Sequence, residues 1–183
     1  MIDHKKAADI HATAVQIYSP VEVQQALDRM ALEITGKLSG ENPIVLCVLN
    51  GALIPAGHLL TRLAFPLRQD YVHATRYRGA TTGAGLDWIG QPSNSLQGET
   101  VLVVDDILDE GITLSAIVKA CRDAGAKMVY SAVLVEKLHD RSNGFRADFV
   151  GLRVEDRYVF GFGMDYKGYL RNLPGIMTLP EEA

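Results

Sequence analysis

The sequence predicts an α/β protein built on a parallel core sheet flanked by helices. Two patterns carry that expectation. Apolar runs rich in β-branched residues recur at 43–49, 101–104 and 127–135, the composition of strands buried on both faces of a parallel sheet. The first two pass through a Gly-containing turn into helix-patterned segments, about 54–63 and 114–122, so strand, turn and helix repeat as a unit. A chain of 183 residues suits one domain, with enough length to bury ~70% of its unfolded surface.

Taken in order, residues 1–18 are weakly patterned and predict no element. Ser19, Pro20 and Glu22 then form a helix start, with Ser19 as N-cap, Pro20 at the first helical position and Glu22 closing a capping box. Val23, Leu27, Met30, Ile34 and Leu38 recur at helical spacing, and Gly40 marks the end. The strand at 43–49 meets the turn signal Asn50-Gly51. Residues 65–76 read as a strand containing Asp70 and Tyr71. Three glycines and two threonines within 77–86 predict a mobile loop, of the kind that closes over active sites. Residues 86–89 read as a short returning strand in which Trp88 packs. After the 101–104 strand, a helix over 114–122 ends at Gly125. The 127–135 strand is followed by Glu136-Lys137-Leu138-His139. Residues 148–152 and 158–165 read as short strands interrupted by glycines, and 165–171 as a polar loop.

Composition narrows the classes of function. A net charge of −4 argues against non-specific nucleic-acid binding, which needs a basic face. The first residues lack an apolar signal core, and no window reaches the ~18 apolar residues of a membrane span. The two cysteines, Cys47 and Cys121, fit no paired-ligand pattern and read as buried free thiols in a reducing compartment, so the expected location is the cytoplasm. His4, His11, His58, His73 and His139 show no metal spacing and receive no role.

The chemistry concentrates after residue 104. Asp105, Asp106, Asp109 and Glu110 fall within six residues and read as an acidic turn between strand and helix. Acids near a helix N-terminus favour its dipole, but four of them at the carboxyl end of a central strand lie where open α/β sheets bind ligands. Gly111 permits close backbone approach, the Thr113 hydroxyl can donate, and the helix start offers unpaired N–H groups to an anion. Acids beside an anion site suit a phosphorylated ligand carrying hydroxyls, a cation, or both. The run Val-Leu-Val-Val-Asp-Asp also resembles the first strand of phosphoacceptor receiver domains. There the pair lies near the N-terminus and most of a domain of roughly 110–120 residues follows, whereas here only 107–183 remain.

The stretch 101–114 resembles the phosphoribosyl pyrophosphate signature of type I phosphoribosyltransferases, and the chain from about 21 to 179 is similar to the hypoxanthine-guanine phosphoribosyltransferases. The resemblance implies a core of about 36–150 and a small hood from about 1–35 and 151–183, together one domain. It implies transfer of the 5-phosphoribosyl group to hypoxanthine or guanine, giving IMP or GMP plus pyrophosphate, with Mg²⁺ as cofactor and a homodimer or homotetramer as assembly. By the same resemblance, Asp105 and Asp106 accept the ribose hydroxyls, and the backbone of Glu110, Gly111, Ile112 and Thr113 holds the 5-phosphate. Asp109 is the candidate general base. A free Asp pKa of ~3.9 is low for that work, so burial or acidic neighbours are expected to raise it. Lys137 donates to the purine 6-oxo group, Tyr158 stacks on the base, and the Val159 backbone reads its edge. Asp165 joins Asp105 and Asp106 as a metal-associated acid, and Arg171 contacts pyrophosphate. Asn50 and Gly51 form a pyrophosphate loop that in the family uses an unusual peptide bond, and Tyr77 lies at the base of the 77–86 loop.

Four residues depart from the family pattern. Asn50 replaces a usual Lys, Arg76 a Ser, and Glu110 a Thr or Ser. Ile112 also replaces a frequently polar residue. Glu110 beside a phosphate is expected to turn its side chain to solvent and offer only its N–H. Two further readings remain open from the sequence: a xanthine-preferring transferase, and a non-catalytic sensor of phosphoribosyl pyrophosphate or nucleotide with the same fold.

Overall fold

The computed structural model describes residues 3–76 and 86–180. The weakly patterned N-terminus forms helix α1 (His4–Thr13), capped by the Asp3 carboxylate on the Lys6 N–H, and strand β1 (Val15–Tyr18). Neither was expected. α1 buries only Ala7, and β1 is held by a partner far along the chain, so local periodicity carried little signal. Helix α2 (Pro20–Leu38) begins with the predicted capping box: the Ser19 hydroxyl accepts the Glu22 N–H, and Glu22 accepts the Ser19 N–H. All five of its periodic apolar residues are buried.

The apolar run becomes β2 (Ile44–Leu49), followed by α3 (Leu53–Leu60) and β3 (Arg68–Arg76). The short return is β4 (Leu86–Gly90), antiparallel to β3. Then come β5 (Thr100–Leu108), α4 (Ile112–Asp123), β6 (Met128–Leu138) and β7 (Phe149–Glu155). These make a six-stranded sheet in the order β4-β3-β2-β5-β6-β7, parallel except at the β4 edge. Strands β8 (Val159–Phe160) and β9 (Ile176–Thr178) join β1 in a second sheet, ordered β1-β9-β8.

From the sheet centre, β2 leads outward through α3 to β3, and β5 leads the other way through α4 to β6. Right-handed crossovers in opposite directions put α3 and α4 on opposite faces. The strand order therefore reverses between β2 and β5, which opens a crevice at their carboxyl ends. No helix among the described residues is long and apolar enough to cross a membrane.

Candidate active site

β5 is longer than its apolar run. Pairing with β6 continues through Asp105↔Val133, Ile107↔Val135 and Leu108↔Glu136. Asp105 and Asp106 thus sit in the strand, and only Asp109 and Glu110 belong to the turn. This corrects the acidic-turn reading. Charged residues broke the apolar pattern, but the ladder held because β6 offers backbone partners to its own end. β6 likewise runs to Leu138, which places Lys137 inside the strand.

Each acid of the pair accepts the N–H of the next residue, Asp106 to Asp105 Oδ1 and Ile107 to Asp106 Oδ1, both at 2.9 Å. Burial pushes both carboxyls above the ordinary range. At Asp105 the neighbouring Asp106 charge adds to burial, while at Asp106 the Asp105 hydrogen bond and the Arg171 charge partly offset it. Two carboxylates brought together out of water favour the form with less negative charge.

The β2 loop comes against this pair. A Cβ on Gly51 would fall 2.1 Å from Asp106 Oδ2, so a side chain there would displace the Asp106 carboxylate. The Leu49–Asn50 peptide bond is cis. Beyond β8 the chain folds back tightly, and a Cβ on Gly163 would lie 2.2 Å from the Gly51 carbonyl oxygen. That approach seats Asp165 and Arg171 over the β2 and β5 ends. Arg171 reaches Asp165 at 2.7 Å and donates to the Gly163 carbonyl at 2.6 Å. Asp165 also accepts the Gly168 N–H. Tyr158 donates its hydroxyl to the Asp165 carbonyl at 3.1 Å, and Val159 is buried in β8.

α4 starts at Ile112, earlier than periodicity alone indicated, with Gly111 as N-cap at φ 83° and no side-chain cap. A left-handed Gly in that position lets the chain turn from strand into helix within three residues. The helix N-terminus therefore faces the crevice with its dipole and backbone donors. Thr113 lines the crevice; Ile112 and half-buried Glu110 are not among its lining residues, and the Glu110 carbonyl accepts from Asn143.

Asp109 has two partners on the β6 end. Lys137 Nζ lies 3.2 Å from Oδ2, and His139 Nε2 lies 2.7 Å from Oδ1. The Asp109 side chain is 40% exposed, whereas Lys137 is 12% exposed and His139 5%. Burial would raise the Asp109 carboxyl, but the hydrogen bonds from His139 and Lys137 outweigh it and hold it below the ordinary range. This overturns the expectation of a raised Asp109. The carboxyls that are raised are Asp105 and Asp106, which lie deeper and have each other for neighbours. His139 carries no signal in the sequence because its partner is thirty residues away, in the turn that follows another strand. The clue, a polar His two residues beyond Lys137 at the end of a buried strand, has meaning only once β5 and β6 are paired.

Two cavities meet at Asp109. One, about 430 Å³, is lined by Asn50 and Gly51 from the β2 loop, Asp105 and Asp106 from β5, Gly111 and Thr113 from the α4 start, and Asp165 and Arg171 from the overlying loop. The other, about 860 Å³, follows Lys137, His139 and the 140–147 segment toward Arg153. Leu108 and Asp109 line both. Tyr158 and Val159 are outside both linings, and Tyr77 lies outside the described residues.

An acid pair, an open helix start and a Gly loop at a topological switch point define a site for a phosphorylated, hydroxyl-bearing ligand. A family model described as a phosphoribosyl transferase domain matches residues 14–167. The chain belongs to the phosphoribosyltransferase family. Its relatives there include the hypoxanthine-guanine phosphoribosyltransferase of Bacillus subtilis, 32% identical over 89% of this chain and 91% of that protein. The hypoxanthine-guanine-xanthine phosphoribosyltransferase of Tritrichomonas foetus is 30% identical over 90% of this chain and 91% of that protein. Among solved structures, a hypoxanthine phosphoribosyltransferase from Staphylococcus aureus superposes with a TM-score of 0.88 at 25% identity, covering 94% of this chain and 95% of that one.

Proposed function

We propose that this protein is a purine-salvage enzyme that transfers the 5-phosphoribosyl group of phosphoribosyl pyrophosphate to hypoxanthine or guanine, forming IMP or GMP and pyrophosphate. The observation that carries the reading is the junction of two cavities at Asp109: acids and a helix start on one side, Lys137 on the other. In the reaction a purine ring nitrogen attacks C1 of the ribose and the C1–O bond to pyrophosphate breaks. The bonding electrons leave with pyrophosphate, and the purine loses a proton. C1 gains oxocarbenium character, as in glycoside hydrolysis.

Asp105 and Asp106 accept the ribose hydroxyls, and the backbone of 110–113 with Thr113 holds the 5-phosphate. Asn50 and Gly51 approach the pyrophosphate through their backbone, and Arg171 supplies it with a charge. Asp109 takes the purine proton. Lys137 has three donors, so it can serve the 6-oxo group while still near Asp109. Tyr158 and Val159 would flank the base.

The donor set suits Mg²⁺. Four carboxylates line the smaller cavity, Asp105, Asp106, Asp109 and Asp165, and Arg171 is the one Lys or Arg among its described lining residues. A polyanionic substrate entering there needs added positive charge. Mg²⁺ takes few protein carboxylates directly and uses mostly substrate oxygens and water. Asp165, Asp105 and Asp106 are the carboxylates within reach, and the ion would supply charge stabilisation to the departing pyrophosphate.

We read the two sheets as one domain, core and hood, and the assembly as a homodimer or homotetramer. Two buried free thiols, Cys47 and Cys121, suit a cytoplasmic setting. Similarity to a relative named for xanthine as well supports a second reading in which xanthine is also accepted.

The test offers hypoxanthine, guanine, xanthine and adenine separately with phosphoribosyl pyrophosphate and Mg²⁺. Turnover of 6-oxopurines and not of adenine is expected, because Lys137 donates to an oxo group and meets a donor in adenine's amino group. Lys137→Ala should lose at least about 10-fold in kcat/KM for hypoxanthine, in line with a hydrogen bond to a charged group. Tight binding of phosphoribosyl pyrophosphate with no turnover of any base would instead support the sensor reading.

A further inference from the structure

His139 stands in a relation to Asp109 that the reaction above does not by itself require, and both its nitrogens are committed. Nε2 lies 2.7 Å from Asp109 Oδ1, and Nδ1 accepts the backbone N–H of Arg141 at 3.0 Å. A nitrogen that accepts carries no proton, so the ring is the neutral Nε2–H tautomer and donates to the carboxylate. The other oxygen, Oδ2, faces Lys137. One oxygen of the carboxylate is thus fixed by a rigid buried ring and the other by a flexible ammonium.

We propose that His139 is a positioning residue for Asp109, its Nε2–H fixing Oδ1 so that Oδ2 is the oxygen that takes the purine proton. The inference rests on the reading of Asp109 as the general base. The proton passes from the purine nitrogen to Oδ2 and stays there until the products leave. His139 cannot carry it onward, because Nε2 already holds a hydrogen and Nδ1 is occupied. The arrangement also divides labour with Lys137. As the ammonium turns toward the 6-oxo group, Asp109 loses part of one donor and becomes more basic, while His139 keeps it aimed. Among the described residues, Lys137 and His139 reach the Asp109 oxygens. Along the larger cavity Glu136, Asp140, Arg146 and Arg153 face the same space. Along the smaller one Asp105, Asp106, Asp165, Arg171 and His73 do so.

The experiment compares His139→Ala and His139→Gln with the parent protein. Gln places an amide N–H near the Nε2 position and Ala removes the donor. Loss of the donor should lower kcat by about 10- to 100-fold, the scale of a misoriented catalytic group, with KM for phosphoribosyl pyrophosphate unchanged. The acid limb of kcat/KM should move to higher pH, because the carboxylate has lost a hydrogen bond that favours its charged form. Gln should restore most of both. Carbon-13 titration of the Asp109 carboxyl without substrate should show the same upward shift in His139→Ala. Nitrogen-15 spectra of the parent should show the Nε2–H tautomer at neutral pH. An Ala variant with parental kcat and acid limb, a Gln variant no better than Ala, or a doubly protonated or Nδ1–H ring would each overturn the proposal. Full turnover by Asp109→Asn would sink the base reading alone, and the carboxyl titration would still decide whether His139 holds Asp109.

Discussion

At Asp105 the cost to stability stands against the binding role proposed for it. Burial and the Asp106 charge raise its carboxyl above the unfolded value. As pH rises from about 3.9 to the folded value, the unfolded state releases a proton that the folded state keeps, so stability falls across that window and the penalty is full above it. Asp105→Asn should therefore melt higher than the parent at pH 7, by about 0.5–2 kcal/mol, while binding phosphoribosyl pyrophosphate more weakly. The gain should vanish at pH 3, where both side chains are neutral. A lower Tm for the variant at pH 7 would contradict the raised carboxyl. Gly51→Ala has the opposite logic. Its methyl would overlap the Asp106 carboxylate, costing about 1–3 kcal/mol as overpacking does, and calorimetry should find substrate binding lost with it. At this scale the sequence marked the acids, Gly51, Gly111 and Lys137. It could not mark His139, or the direction of the Asp109 shift, because both depend on which strand ends lie side by side.

Elements followed their patterns where packing is local or the apolar run is continuous. α2 is the clearest case, with its cap, its buried face and its length all legible. Ser19→Ala removes a hydroxyl that accepts the Glu22 N–H and should cost about 1 kcal/mol. That is about 2–4 °C in Tm for a chain of this size, with kcat unchanged since Ser19 lies outside the site. No loss would mean that the cap contributes nothing beyond what water supplies. Strand ends were harder. β5 and β6 extend through Asp105, Asp106, Glu136 and Lys137, where charged residues hide a continuing ladder. Side chains that line the cavities sit at those ends for the same reason that the pattern fails there: the backbone remains in the sheet while polar side chains face open space.

At the scale of the molecule, the parallel sheet was legible from three apolar runs and their turns, whereas the reversal of strand order between β2 and β5 appears only in the fold. The small sheet was not, since Val15 pairs with Thr178 and no local signal spans that distance. Yet that sheet is what brings Asp165 and Arg171 over the β2 and β5 ends. For the whole particle, sedimentation velocity should find two or four chains, and a monomer at micromolar concentration would remove the proposed assembly. The central claim is that Asp109, at the meeting of two cavities, takes the proton in phosphoribosyl transfer to a 6-oxopurine. The most direct test incubates the protein and its Asp109→Asn variant with phosphoribosyl pyrophosphate, Mg²⁺ and hypoxanthine and measures IMP and pyrophosphate. The account predicts equal amounts of both products from the parent and a loss of about 10²- to 10⁴-fold in kcat in the variant, with phosphoribosyl pyrophosphate still bound. No IMP from the parent, or undiminished IMP from the variant, would contradict it.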